Sequence, residues 1–278
     1  MANGLARQGP LDQDFAIESM RNPGQLVLLG GALAMFVSGR VGTGTSVLMA
    51  GEGAEGGRLP QVRVTSVRRV FHNGEHNAFT DLVRFRGRMF LTFRSCPDGH
   101  SVHPTASIIV LASSDGQQWS QVHRFSVPGR DTRDPHFLVF QDKLFVYTGT
   151  WYSGPSLPAP KDWDLNQHLG YAAVSLDGIQ WHSPIMLEGT FGHYIWRASA
   201  FAGKAYLCAR RKIGFAVGPK GEGQQVESLM IESDDGLIWR KRAVFQKVAG
   251  DETTFLFESD GRVLGIGRRT GTAQLLRS

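Results

Sequence analysis

Carboxylates and arginines recur at matching places along this chain, and they are the residues best suited to chemistry. Strand-like segments are entered by His76-Asn77 with Asp81, by Arg133-Asp134, by Trp196-Arg197 and by Asp251-Glu252. The strands that come next end on Arg94, Arg210 and Arg268. Cleavage of a glycosidic bond needs one carboxyl group to protonate the leaving oxygen. It needs a second carboxylate, or a tyrosine, as nucleophile or base. On this reading Glu252 is the base or the helper of a nucleophile, and Asp134 or Asp81 is the acid or base. Arg133, Arg197 and Arg268, with Arg94 behind them, would hold an anionic group, because a guanidinium meets a carboxylate as a two-pronged fork. Trp196 and Trp151 would stack on a sugar face. Each residue also has a structural reading. Asp134 would shape a strand entrance before Pro135, Glu252 would pair with Arg268 across its own hairpin, and Arg197 would be an ion-pair partner.

The elements that must position these residues repeat. Ser113-Ser114-Asp115-Gly116-Gln117-Gln118-Trp119 returns as Ser175-Leu176-Asp177-Gly178-Ile179-Gln180-Trp181 and as Ser233-Asp234-Asp235-Gly236-Leu237-Ile238-Trp239, at intervals of 62 and 58 residues. Asp-Gly makes a tight turn, the glycine taking positive φ and the carboxylate bonding nearby amides. The tryptophan then packs between strands. Each copy follows an apolar run: 108–112, 169–174 and 228–231. A second hairpin alternates with this one, at 78–94, 136–148, 198–210 and 253–268. Two hairpins per period of about 60 residues give four strands, the unit of a propeller blade. The expected fold is all-β, a β-propeller of four-stranded antiparallel blades.

The repeats supply about three and a half to four blades, and a strand at 62–70 is expected to close the ring. Propellers usually close with more blades than this, so the domain at 61–278 is expected to be incomplete at its C-terminal side, with five or six blades in the full-length protein.

Composition agrees. Gly occupies 34 of 278 positions and aromatic residues 10%, which suits many tight turns between short strands. Two cysteines exclude a disulfide scaffold and a Cys-rich zinc fold. A net charge of +5 is spread through apolar surroundings, so no nucleic-acid partner is expected. Residues 1–60 read as a leader, signal-like or disordered. Leu26–Ser38 is an apolar stretch of signal-peptide length, Met20 is an alternative start, and 50–57 offers a cleavage site or linker. A signal here predicts export, and an uncleaved one would be the sole membrane anchor. Gly51-Glu52-Gly53-Ala54-Glu55-Gly56 matches a dinucleotide string, but Arg58-Leu59-Pro60 follows in place of a helix. His72-Asn73-Gly74-Glu75-His76 matches a metal string, but Asn-Gly is a turn and breaks the helical face it needs. No cofactor and no metal are expected.

The Ser-x-Asp-Gly-x-x-Trp turn resembles the Asp-box of sialidases, one residue shorter between Asp and Gly. The segment from Asp251 to Arg268 is similar to the sialidase stretch in which a catalytic Glu precedes, by sixteen residues, an Arg of the carboxylate-binding triad. Glu252 and Arg268 have that spacing. The resemblance covers 62–278 and implies an exo-acting glycoside hydrolase that binds sialic acid or another acidic sugar. The family's Arg-Ile-Pro motif is replaced by Arg133-Asp134-Pro135, and its nucleophilic Tyr belongs to a later blade. Arg133-Asp134-Pro135 also resembles the Arg-Asp-Pro motif of fructan-cleaving enzymes within the five-bladed furanosidase type, with Asp81 and Asp134 on successive blades. A non-catalytic glycan-binding or scaffold propeller is the third class.

Overall fold

The 60-residue period of the sequence is a period in space. The computed structural model describes residues 16–19, 63–154, 164–216, 225–269 and 273–278. The strands in them form four antiparallel sheets of four, arranged as propeller blades. Blade 4 ends with β1 (Ala16–Ser19), the earliest strand among the described residues. Blade 1 runs β2 (His76–Phe85), β3 (Arg88–Cys96), β4 (Ser107–Ser113) and β5 (Ser120–Phe125). Blade 2 runs β6 (Arg130–Phe140), β7 (Lys143–Tyr152), β8 (Leu169–Ser175) and β9 (His182–Met186). Blade 3 runs β10 (Tyr194–Phe201), β11 (Lys204–Lys212), β12 (Val226–Ser233) and β13 (Arg240–Gln246). Blade 4 holds β14 (Thr253–Phe257), β15 (Val263–Gly267) and β16 (Gln274–Arg277), and β1 pairs with β16.

The closing strand expected at 62–70 is corrected here. Residues 63–73 form no strand and are largely exposed, and Ala16–Ser19 pairs as the fourth strand of blade 4 instead. Arg68 of that segment donates to Gly116 O and to Gln117 Oε1 of the first Asp turn, and Phe71 packs on Phe93 at 4.9 Å. Leu26–Ser38 and the string at 51–56 lie outside the described residues. Among the described residues no helix is long and apolar enough to cross a membrane.

Core lies between blades, so the middle strands are buried on both faces. Every residue of β4 is buried, whereas β9 has none buried. Phe90, Ile108, Val110 and Phe125 of blade 1 meet Phe137, Leu144 and Val146 of blade 2. Phe145, Tyr147 and Val174 of blade 2 meet Ile195, Leu207, Leu229 and Trp239 of blade 3. Tyr206, Cys208 and Phe245 of blade 3 meet Phe255, Val263 and Leu276 of blade 4.

The Asp turns join third strand to fourth in blades 1 to 3. In each, the Asp Oδ1 accepts from the two amides after the glycine, and the Ser Oγ accepts from the glycine amide. The turn then docks on the preceding blade. Gly236 has φ +82°, and a Cβ there would lie 2.8 Å from the Tyr147 hydroxyl, so the turn tolerates only glycine at this approach. Tyr147 donates to Gly236 O at 3.0 Å and meets Trp239 edge-on at 5.5 Å. Trp181 stacks on His123 of blade 1 at 5.2 Å.

Candidate functional site at the strand entrances

The innermost strands β2, β6 and β10 share one irregularity. Their registers slip between Ala78 and Asp81, between Arg133 and His136, and between Trp196 and Ala198. In each bulge a non-glycine residue takes left-handed backbone: Phe79 at φ 60°, Asp134 at 52° and Arg197 at 45°. Such conformations cost about 1–3 kcal/mol apiece and persist where the surroundings impose them, most often at functional sites. A bulge also re-aims a side chain. Phe79, Asp134, Arg197 and Glu252 all stand four to six residues before the Phe that ends each inner strand, so they lie at one level of the array.

Asp134 is the best-placed carboxyl. It accepts from the Tyr194 hydroxyl, and Arg133 and His136 lie in its field. Burial pushes its pKa up, the negative charge of Glu252 adds to that push, and the net result is above the ordinary carboxylate range. Tyr194 is pushed well above the ordinary phenol range by burial and by Asp134, so its hydroxyl stays a neutral donor. The Arg210 guanidinium lies over the Tyr194 ring at 5.4 Å and bonds Asp251 at 2.6 Å.

Asp131, fully buried, organises the arginines. Its Oδ1 accepts from Arg94 Nε at 3.0 Å, and its Oδ2 accepts from Arg133 Nε at 2.8 Å. One carboxylate thus serves two guanidinium groups, leaving excess positive charge at a dry position. Arg94 is entirely enclosed. Its other donors go to the carbonyls of Gly99 and Ser101, so it positions Asp131 and this loop from within. Arg133 also donates to His100 O at 3.2 Å and lies over the Phe79 ring at 5.8 Å.

Glu252 accepts from Arg268 Nη1 at 2.9 Å, and the Arg268 amide donates to Glu252 O at 2.7 Å. Both side chains are exposed, at 51 and 62%. Arg197 is half-buried and makes no hydrogen bond or ion pair among the described residues. The structure therefore brings Asp134, Arg133, Arg197, Glu252 and Arg268 to one end of the inner strands.

Besides Arg94, which is enclosed and bonds Asp131, Gly99 O and Ser101 O in place of a ligand, three expected site residues are engaged elsewhere. Asp81 accepts from the Phe137 amide at 2.8 Å and the Leu82 amide at 2.9 Å, with His136 3.4 Å away, which ties blade 1 to blade 2. Burial raises its pKa, but His136 and these amides outweigh that, and the net shift is downward. Trp196 is buried and donates to Thr253 O at 2.7 Å, joining blade 3 to blade 4. Trp151, also buried, sits edge-on to His168 at 4.3 Å and near Tyr194. Neither ring turns an open face outward. Sequence reasoning missed Asp131, Tyr194 and the Arg210–Asp251 pair. Asp131 and Tyr194 lie three residues upstream of Asp134 and Arg197, which was the available signal.

No protein-family model matches the chain, and no curated protein sequence does. Solved structures do. A Trypanosoma rangeli sialidase in complex with the inhibitor DANA superposes with a TM-score of 0.55 at 17% identity, over 73% of this chain and 36% of that one. A family 117 glycoside hydrolase of the marine bacterium Zobellia galactanivorans superposes with a TM-score of 0.52 at 15% identity, over 73% of this chain and 66% of that one. The chain spans about a third of the length of the sialidase it matches. At such identities the likeness is one of fold.

Proposed function

We propose that this protein is a sialidase-like, glycan-processing propeller, an exo-acting glycoside hydrolase on an anionic sugar. The observation that carries the reading is Asp134: a carboxyl on strained backbone, with its pKa raised, in the field of Glu252 and beside an arginine cluster. A raised pKa suits a general acid, which must hold its proton until the leaving oxygen takes it. Glu252, which accepts from Arg268 Nη1 at 2.9 Å, is the base or the helper of a nucleophile. Arg197 and Arg133 hold the anionic group of the sugar, and Arg197 makes no ion pair among the described residues. We read the three Ser-x-Asp-Gly-x-x-Trp turns as Asp-boxes with a structural role, and export through Leu26–Ser38 belongs to the same proposal. The sialidase and glycoside hydrolase neighbours support carbohydrate as the ligand class.

The pairing of Glu252 with Arg268 and of Asp81 with Phe137 favours a second reading, a propeller that binds glycans without turnover. Release of 4-methylumbelliferone from a panel of fluorogenic glycosides separates the two. The hydrolase reading expects turnover of an acidic glycoside, lost by at least 100-fold in Glu252→Gln. Full activity in that variant, or binding on a glycan array with no turnover of any substrate, overturns it.

A further inference from the structure

We propose that blade 1 carries a zinc site built from Cys96 at the end of β3 and from Asp98 and His103 on the connection to β4. This cluster stands apart from the residues assigned to the reaction and does not rest on that assignment. The Cys96 sulfur, a carboxylate oxygen of Asp98 and a ring nitrogen of His103 all lie within 4.8 Å of one another. A tetrahedral zinc with bonds of about 2.0–2.3 Å holds its ligand atoms roughly 3.3–3.8 Å apart, so small side-chain rotations close the set. Thiolate, imidazole and carboxylate together select zinc over the hard cations calcium and magnesium, which take oxygen alone.

The contacts within the cluster point the same way. His103 Nδ1 and Asp98 Oδ2 are 3.1 Å apart, and both face the Thr105 hydroxyl, at 2.7 and 2.6 Å. That same hydroxyl is 3.6 Å from Cys96 Sγ. The Thr105 amide also points at Nδ1, at 3.4 Å. Sulfur, nitrogen and carboxylate thus converge on a single hydroxyl that has one proton to give. A cation satisfies all three at once, with the Thr105 oxygen or a water as fourth ligand. The sulfur comes from the fully buried inner side, while His103 and Asp98 are 22 and 46% exposed, which leaves an entry path. On binding, the zinc–sulfur bond replaces the sulfur–hydrogen bond, and the thiol proton leaves to solvent.

Such an ion would act as a clasp. The segment it closes, 96–103, carries the carbonyls of Gly99, His100 and Ser101, which accept from Arg94 and Arg133. Those two arginines share Asp131. The His100 ring lies against Phe79 at 5.5 Å and His76 at 5.1 Å. Fixing this loop therefore fixes the arginine pair.

The test uses the full chain, stripped with chelator under a thiol-free reductant and titrated with zinc alone by calorimetry. Cobalt in place of zinc should give a thiolate-to-metal charge-transfer band. The proposal expects one zinc per chain and a rise in thermal midpoint at saturating zinc. It also expects about a 100-fold or greater loss of affinity in His103→Ala and in Asp98→Asn, and loss of the cobalt band in Cys96→Ser. His103 and Asp98 are partly exposed, so those variants should keep the wild-type circular dichroism even if replacement of the buried Cys96 unfolds the blade. No zinc bound, or unchanged affinity in folded His103→Ala and Asp98→Asn, overturns the site.

Discussion

Replacing Trp239 by Ala tests the claim that the Asp turns lock blade to blade. Trp239 is 3% exposed and lies in the core shared by blades 2 and 3. A tryptophan buries about 150–250 Å², which at roughly 25 cal/mol per Å² is worth about 4–6 kcal/mol as an upper bound. Its indole N–H is buried with no hydrogen-bond partner among the described residues, and that desolvation takes back about 1–3 kcal/mol. The cavity left behind restores part of the loss, so the expected cost is about 3–5 kcal/mol. Trp181 occupies the same position one blade earlier but is only partly buried, with its ring stacked on His123. Half the area is worth about 2–3 kcal/mol, and the Trp181 indole N–H, buried with no partner among the described residues, takes back about 1 kcal/mol of it, leaving about 1–2 kcal/mol for Trp181→Ala. Urea unfolding of the two variants beside the parent, followed by far-UV circular dichroism, measures both. A loss below about 1 kcal/mol for Trp239→Ala, or a larger loss for Trp181→Ala, would refute the reasoning.

Two further outcomes are expected. The pKa of Asp134 is raised in the folded state, so folding binds its proton more tightly, and the associated stability is present below the unfolded value and lost as pH rises through the folded one. Asp134→Asn removes that dependence and still accepts from Tyr194, so its urea midpoint relative to the parent should rise between pH 4 and pH 8; a relative fall across that range would count against the raised pKa. Gly189 has φ +79°, and a Cβ there would lie 2.0 Å from Trp239 O, where Glu188 bridges to Ile238 of blade 3. Gly189→Ala should cost more than the 1–3 kcal/mol typical of backbone strain alone, and a thermal midpoint within 1 °C of the parent's would disprove that close approach.

The blades were legible because each is bounded by turn chemistry that depends on few residues. Asp-Gly with a serine two residues before the Asp and a tryptophan three after the Gly forces one local geometry, and Arg86-Gly87 or Ala202-Gly203 forces another. The hairpins expected at 136–148 and 198–210 correspond to β6–β7 and β10–β11. Their first strands, however, begin six and four residues earlier than the pattern suggested. The reason is the bulge. An unpaired residue inverts the alternation of inward and outward side chains, so the apolar pattern stops at His136 and Ala198 although the strand does not. Asp131 and Tyr194 sit on the hidden side of those interruptions. The pull of Asp81 toward blade 2 was illegible for another reason: its partners are backbone amides 56 residues away or on the next residue, and amides have no sequence signature. Cys96, Asp98 and His103 follow no helical or knuckle spacing, and only the course of one loop gathers them.

The seam between blades has a direction. Each Asp turn is a plug, and the aromatic face of the blade before it is the socket, so the contacts are head to tail and a row of them leaves a plug unfilled at its start. In blade 1 the plug is Gly116 and Trp119. The carbonyl of Gly116 accepts from Arg68, as that of Gly236 accepts from Tyr147, and Phe71 and Trp119 pack against the cluster of Phe93, Ile109 and Leu111. Residues 63–73 thus contact the Asp turn of blade 1 much as blade 2 contacts that of blade 3. The row also fits synthesis from the N-terminal side, since each new plug meets a socket that has already left the ribosome.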